Sequence, residues 1–201
     1  MTTFYLVRHG DNDVLPHAIA GRSPGVHLNA AGHAQARHLA ERLAKFPIQQ
    51  VFSSPMERAC ESAVPLTEKL GLPLRISQPL NEVDFGDWTL KTFAELDHLE
   101  MWKQWNSFRS ANRIPNGEGM LQVQERVVTE IQRLCRAHPD DSIALFSHAD
   151  PLRAAILYYV GMPVDFIRRL QLGTASVSML SIDTWGAKLT GLNLPWGEAS
   201  P

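Results

Sequence analysis

Three apolar runs in this sequence end in the same way. Phe4–Val7 runs straight into Arg8 and His9, Gln49–Ser54 leads to Arg58 four residues on, and Ser142–Ser147 runs into His148. Short runs of this composition are what buried strands use. A charged or titratable group beside a core is costly unless something binds it. Segments with helical spacing lie between the runs: 29–45, opening on Asn29 as N-cap, 57–69, stopping at Gly71 and Pro73, 92–108 and 119–137. Further helices are expected from Pro151 and near Pro163, a short strand at 73–77, closing strands at 176–182 and 188–192, and a loose tail from Pro195. Strand and helix in alternation restrict the chain to a layered α/β domain.

In such domains sites form outside the carboxyl ends of the strands. Parallel neighbours would bring Arg8, His9, Arg58 and His148 to one edge. Four groups that can carry positive charge make a poor structural cluster, but they suit a dianion, because the planar arginine fork matches phosphate oxygens. Helix starts after Ser54–Pro55 and Ala149–Pro151 would add backbone N–H donors. A pocket that only held phosphate needs no pair of imidazoles. A histidine can instead take the phosphoryl group as nucleophile before water removes it. That route requires an acid for the leaving oxygen, and Glu82, in a turn among apolar neighbours, fits: burial raises a carboxyl pKa. Asp84 and Asp87 remain alternatives.

Composition narrows the partners. The 201 residues are 44% hydrophobic with a formal net charge of −2, which gives no global attraction to nucleic acid or to an anionic membrane. No basic leader or membrane-length apolar window is present in the sequence, and the two cysteines, Cys60 and Cys135, form no CxxC. A cytoplasmic protein with free thiols is the expectation. The 8 histidines invite a metal site, yet His33 and His38 are five apart on a helix and share no face.

The blocks "LVRHG", "GRSPGVHLNAAGHAQA", "SSPMERACESA", "LNEVDFGDW" and "SHADPLRAAI" resemble the histidine phosphatase superfamily, the phosphoglycerate-mutase-like group, in its phosphatase branch. They stand in the family's order and span nearly the whole chain. The resemblance implies a three-layer α/β/α sandwich with a mostly parallel mixed sheet. It implies one domain over 1–201 with a helical, lid-like segment at about 85–119. It makes His9 the phosphorylated nucleophile, Arg8, Arg58 and His148 the phosphate clamp, and Glu82 the acid, then the base for water. It requires no metal or other cofactor.

Two positions depart from the family pattern. Ala149 stands where glycine often follows the second histidine, and Leu15 stands where some members have asparagine, a contact that Asn12 or Ser23 could replace. Gly21, Ser23, Asn12 and Ala149 join the expected substrate-binding set. His17, His27, Arg109 and Arg113 are candidates for the pocket's rim. The expected partner is a small-molecule phosphate ester, and a homodimer is open. The chain is shorter than typical mutases, which favours hydrolysis over phosphoryl transfer within the substrate. Two competing classes differ: an aspartate-nucleophile, magnesium-dependent phosphatase built on Asp11 and Asp13, and a non-catalytic phospho-ligand module. The first lacks the Gly-Thr that should follow its acids; the second leaves His9 and Glu82 without a purpose.

Overall fold

A computed structural model describes residues 1–15 and 17–197. Six strands form one sheet: β1 (Thr2–Arg8), β2 (Ile48–Ser53), β3 (Leu74–Ile76), β4 (Ser142–Ser147), β5 (Val177–Asp183) and β6 (Gly186–Leu194). Their order is β3-β2-β4-β1-β5-β6. The first four strands are parallel to one another, and β5 and β6 close the sheet as an antiparallel hairpin beside β1.

The side-chain alternation of β1 explains the layers. Tyr5 and Val7 pack on one face with Leu39 and Leu43 of α1 (Ala30–Leu43) and Leu66 of α2 (Glu57–Leu70). Phe4 and Leu6 pack on the other with Val127 and Ile131 of α5 (Met120–Ala137) and Ile156 of α6 (Ala149–Tyr159). A strand covered on both faces must be apolar throughout, which is why the first and fourth strands read as unbroken runs. The result is the expected three-layer α/β/α arrangement.

Between the third strand and α5 the chain builds a separate cluster. Trp88, Leu96, Trp105 and Ile114 are buried with Met120 and Val123 of α5 and Ala154 and Leu157 of α6. The single helix expected over 92–108 is two: α3 (Phe93–Leu96) and α4 (Glu100–Ser107). Thr92 and Glu95 form a capping box that completes the first within one turn, and Leu99, in extended backbone, restarts the second. The aromatic residues there do not all go to the core, since Phe93 and Phe108 are 40% and 53% exposed.

Three smaller differences have local causes. Helix α6 begins at Ala149 rather than Pro151, with Pro151 in the first turn, where a missing N–H breaks no helical bond. A 3-10 segment (Val164–Arg169) takes the place of the helix near Pro163. The stretch from Pro195 onward, expected to be loose, is tied down where Trp196 stacks on Phe46 with centroids 5.1 Å apart; Glu198–Pro201 lies outside the described residues. Cys60 and Cys135 are free thiols. Among the described residues no helix is long and apolar enough to cross a membrane.

Candidate active site

Strands β1 and β4 are neighbours, yet the helix after β1 covers one face of the sheet and the helix after β4 covers the other. The chain therefore parts at their carboxyl ends, which is where α/β sheets open a crevice. His9 follows β1 and His148 follows β4, so the two imidazoles flank that opening, with ring centroids 5.1 Å apart. The backbone at His9 is held on both sides: its N–H donates to the Ser147 carbonyl and its own carbonyl accepts from Ala175 N–H, each at 3.0 Å. The turn after it needs glycine. A Cβ on Gly10 would lie 2.8 Å from the Gly32 carbonyl oxygen, and one on Gly32 would lie 2.1 Å from that of Asp11, so both glycines let this loop run against the start of α1.

The side chains converge from four elements. His9 Nδ1 is 2.7 Å from the Gly10 carbonyl oxygen. A carbonyl only accepts, so Nδ1 carries the proton and Nε2 keeps its lone pair. Arg58, in the first turn of α2, directs Nε–H toward that Nε2 at 3.4 Å and donates from Nη2 to the Gly21 carbonyl at 2.8 Å. Arg8 donates from Nη1 to the Leu172 carbonyl at 2.6 Å. Among the described residues, each arginine keeps a buried N–H group with no protein partner: Nε of Arg8 and Nη1 of Arg58. His148, fully buried, places Nδ1 3.7 Å from Glu82 Oε2, too far for a hydrogen bond.

Glu82 sits in a braced turn. Arg126 donates to the carbonyls of Pro79, Asn81 and Glu82 at 2.5, 2.8 and 3.0 Å. Arg22 adds a fourth bond, to the Glu82 carbonyl at 2.9 Å, and Glu118 ties the two arginines together. The Glu82 side chain is 14% exposed, and Oε1 accepts from Val83 N–H at 2.9 Å.

Burial dominates the electrostatics. It holds His9 well below the usual histidine range, with Arg58 and then Arg8 adding to the effect. His148 is lowered in the same way, by burial first and then Arg58. Burial pushes Glu82 up to about 7; Arg58 opposes this and Asp150 reinforces it. At neutral pH the site therefore combines two uncharged imidazoles with a carboxyl near its midpoint.

These groups surround a cavity of about 650 Å³. Arg8, His9, Gly21, Arg58, Glu82 and Ala149 line it, with Leu15 and Arg109. His148, fully buried, Asn12 and Ser23 are not among its lining residues. The Asn12 side chain is buried, its Oδ1 accepting from Val14 and Leu15 N–H, because an asparagine there closes a local turn. Ser23 is buried beside a backbone turn to Ala20. His17 is off the lining, His27 pairs with Glu61 on the surface, and Arg113 turns to the Gly117 carbonyl at a different groove. Asp84 and Asp87 cap local turns away from the cavity, bound to Gly86 N–H and Asn116 respectively. Asp11 and Asp13 are engaged by Gln35 and Asn29. Among the described residues no group of three or more His, Cys, Asp or Glu side chains could hold a metal ion.

The family model described as "Histidine phosphatase superfamily (branch 1)" matches residues 4–195. The chain belongs to the histidine phosphatase superfamily. It is 30% identical over 194 residues to the adenosylcobalamin/alpha-ribazole phosphatase of Escherichia coli (strain K12), covering 94% of each chain. It is 30% identical to the "Probable phosphoglycerate mutase GpmB" of Proteus mirabilis, covering 98% of this chain and 88% of that one. Among solved structures it resembles the alpha-ribazole phosphatase of Shigella flexneri, at 29% identity and a TM-score of 0.85 over 96% of both chains.

For a histidine phosphatase, part of this cavity was not foreseen from the sequence. Asp150 and Arg153, in the first turns of α6, line it with Arg109. The Asp150 carboxylate pairs with Arg109 at 2.9 Å and Arg153 at 3.1 Å. Burial would raise its pKa, but the two arginines outweigh burial and hold it below the usual range. Opposite charges three residues apart in "HADPLR" were the available signal. Phe85, Phe93 and Trp102 form an apolar side of the same cavity, and no periodicity distinguishes them from core aromatics.

Proposed function

We propose that this chain hydrolyses phosphomonoesters of small molecules through a phosphohistidine on His9. One observation carries the reading. A buried imidazole with an unprotonated Nε2, toward which Arg58 Nε–H points at 3.4 Å, stands beside two arginines that have unused N–H groups among the described residues, across from a carboxyl with a pKa of about 7. The phosphoryl dianion lies between Arg8 and Arg58, within reach of His148 Nδ1 and the backbone N–H groups at the start of α6, beginning with Ala149.

The reaction has two displacements. His9 Nε2 attacks phosphorus, the P–O bond to the leaving group breaks, and protonated Glu82 transfers its proton to the departing oxygen. The alcohol leaves and a phosphohistidine remains. Glu82, now a carboxylate, takes a proton from water; the hydroxide attacks phosphorus and the P–N bond breaks, returning its electron pair to Nε2. Inorganic phosphate leaves and Glu82 is again protonated. Charge on the transferring oxygens is stabilised by fixed arginines, the largest contribution in phosphoryl transfer. Relatives named as phosphatases support hydrolysis.

The substrate is a phosphate ester large enough to use a 650 Å³ cavity with an apolar side and a charged side. A panel of alkyl and aryl phosphate esters, with a phosphoglycerate mutase assay in parallel, tests this. Phosphate release is expected, and His9→Ala should lower it by roughly 10⁴-fold or more. Near-native release by H9A, or phosphoryl transfer between phosphoglycerate positions outpacing release, overturns the proposal.

A further inference from the structure

The two histidines are equally buried but differently tethered. His9 has its Nδ1 engaged by a carbonyl; His148 has its Nε2 engaged by a hydroxyl, Ser54 Oγ, at 2.8 Å. A hydroxyl can donate or accept, so the His148 tautomer depends on what else Ser54 touches. Ser54 follows β2 and is itself fully buried. Its Oγ already accepts from Met56 N–H at 3.3 Å. Among the described residues its hydroxyl hydrogen has no acceptor besides His148 Nε2.

Two arrangements are possible. If Nε2 carried the proton, the Ser54 hydrogen would be buried without a partner among the described residues. If Nδ1 carries it, Ser54 donates to Nε2 and both groups are satisfied, leaving one N–H. That N–H is at Nδ1, which is buried, lacks a protein partner and lies 3.7 Å from Glu82 Oε2 at the cavity. Buried polar groups are paired wherever the structure permits it, so the second arrangement is the stable one.

We infer that Ser54 is a positioning residue that fixes the His148 tautomer, so that Nδ1–H points at the phosphate as a donor. His9 and His148 then hold the same proton for opposite ends. In His9 the Nδ1–H is consumed by the backbone, and Nε2, met by Arg58 Nε–H at 3.4 Å, keeps the lone pair that attacks. In His148 the Nε2 is consumed by Ser54 and Nδ1–H is free to bind. Two neutral imidazoles 5.1 Å apart thus become a nucleophile and a donor without any difference in net charge. The role assigned to the donor rests on the phosphatase reading above; the tautomer does not.

Nitrogen-15 NMR of histidine-labelled protein, free and with inorganic phosphate, tests the tautomer without any variant in the wild-type sample. The His148 resonances are assigned by their loss in His148→Gln. Nδ1 should give a protonated, pyrrole-type signal and Nε2 an unprotonated, pyridine-type signal. A protonated Nε2 in the wild-type protein, in either sample, overturns the inference. In Ser54→Ala the two tautomers should mix, and kcat/KM should fall roughly 10- to 100-fold for alkyl and aryl esters alike, as for loss of other residues that orient a functional histidine. An S54A protein with the wild-type tautomer and wild-type kcat/KM overturns it equally. Failure of H9A to lose activity would instead strike the phosphohistidine and leave the NMR result standing.

Discussion

At the floor of the cavity, Arg8, His9 and Arg58, with the fully buried His148 next to His9, leave the carboxyl ends of strands or the first turn of the following helix, and the backbone N–H groups of Arg8 and His9 are bonded to the Ser176 and Ser147 carbonyls. At the outer wall, Phe93, Trp102 and Lys103 project from two short helices, α3 and α4, and are partly or largely exposed. The floor is charged, buried and attached to the longest-range contacts of the fold. The wall is mixed in chemistry and attached to a local cluster of tryptophans. The difference separates two jobs: whatever is common to all phosphate esters meets the floor, and whatever distinguishes one ester from another meets the wall. A floor substitution should depress every substrate alike, and a wall substitution should reorder them.

The largest effect short of removing His9 is expected at Arg58. Arg58 is 1% exposed, its Nε–H points at His9 Nε2, and its Nη1 has no partner among the described residues. Arg58→Gln should lower kcat/KM by about 10²–10³-fold, the usual effect of losing one preorganised donor to transition-state charge. The loss should be uniform across esters in steady-state assays. A loss confined to one ester would merge floor and wall.

Glu82 should break the uniformity in a defined direction. Its pKa is raised to about 7, so the protonated acid is depleted as pH rises through that value. Wild-type kcat/KM for alkyl phosphates should therefore fall on the basic side by about tenfold per pH unit, while the lowered His9 pKa leaves no histidine limb near 6.5. Glu82→Gln should abolish that limb, costing roughly 10²-fold on alkyl esters and under tenfold on nitrophenyl phosphate, whose leaving group needs little protonation. Equal losses on both would reassign the acid.

Asp150 stands at the border of the two regions. It raises the Glu82 pKa and holds Arg109 and Arg153. Asp150→Asn should move the basic limb to lower pH and change kcat/KM at pH 7 by no more than about tenfold. A limb displaced upward would contradict the assignment of charge. The smallest effect is expected for Trp102→Ala: under about tenfold on any one ester, read as a changed order of preference in the substrate panel.

The contrast also explains what the sequence reveals. Arg8, His9, Arg58 and His148 are legible because each follows an apolar run, and a strand's length and direction fix where its end must go. Glu82 is legible only through its apolar neighbours; the arginine brace from Arg126 and Arg22 spans separations of 44 and 60 residues and leaves no local pattern. Asn12 and Ser23 were expected at the substrate as replacements for the family asparagine whose place Leu15 takes, but loop polarity serves turn geometry as readily as binding. The break between α3 and α4 escaped because Asp97 and Leu99 are tolerated inside helices, and only the capping box at Thr92 and Glu95 announces so short an element. Asp150 and Arg153 carry a helical spacing, but their convergence with Arg109 depends on a segment 41 residues away.

The central claim is that phosphorus is transiently bonded to His9 Nε2. Rapid mixing of enzyme with a phosphorus-32-labelled aryl phosphate, quenched in alkali and mapped by peptide mass spectrometry, tests it most directly. The account predicts acid-labile, alkali-stable label on the peptide bearing His9, formed and lost at rates that support turnover and absent in H9A. Turnover with no such label, or label on any other residue, would contradict it.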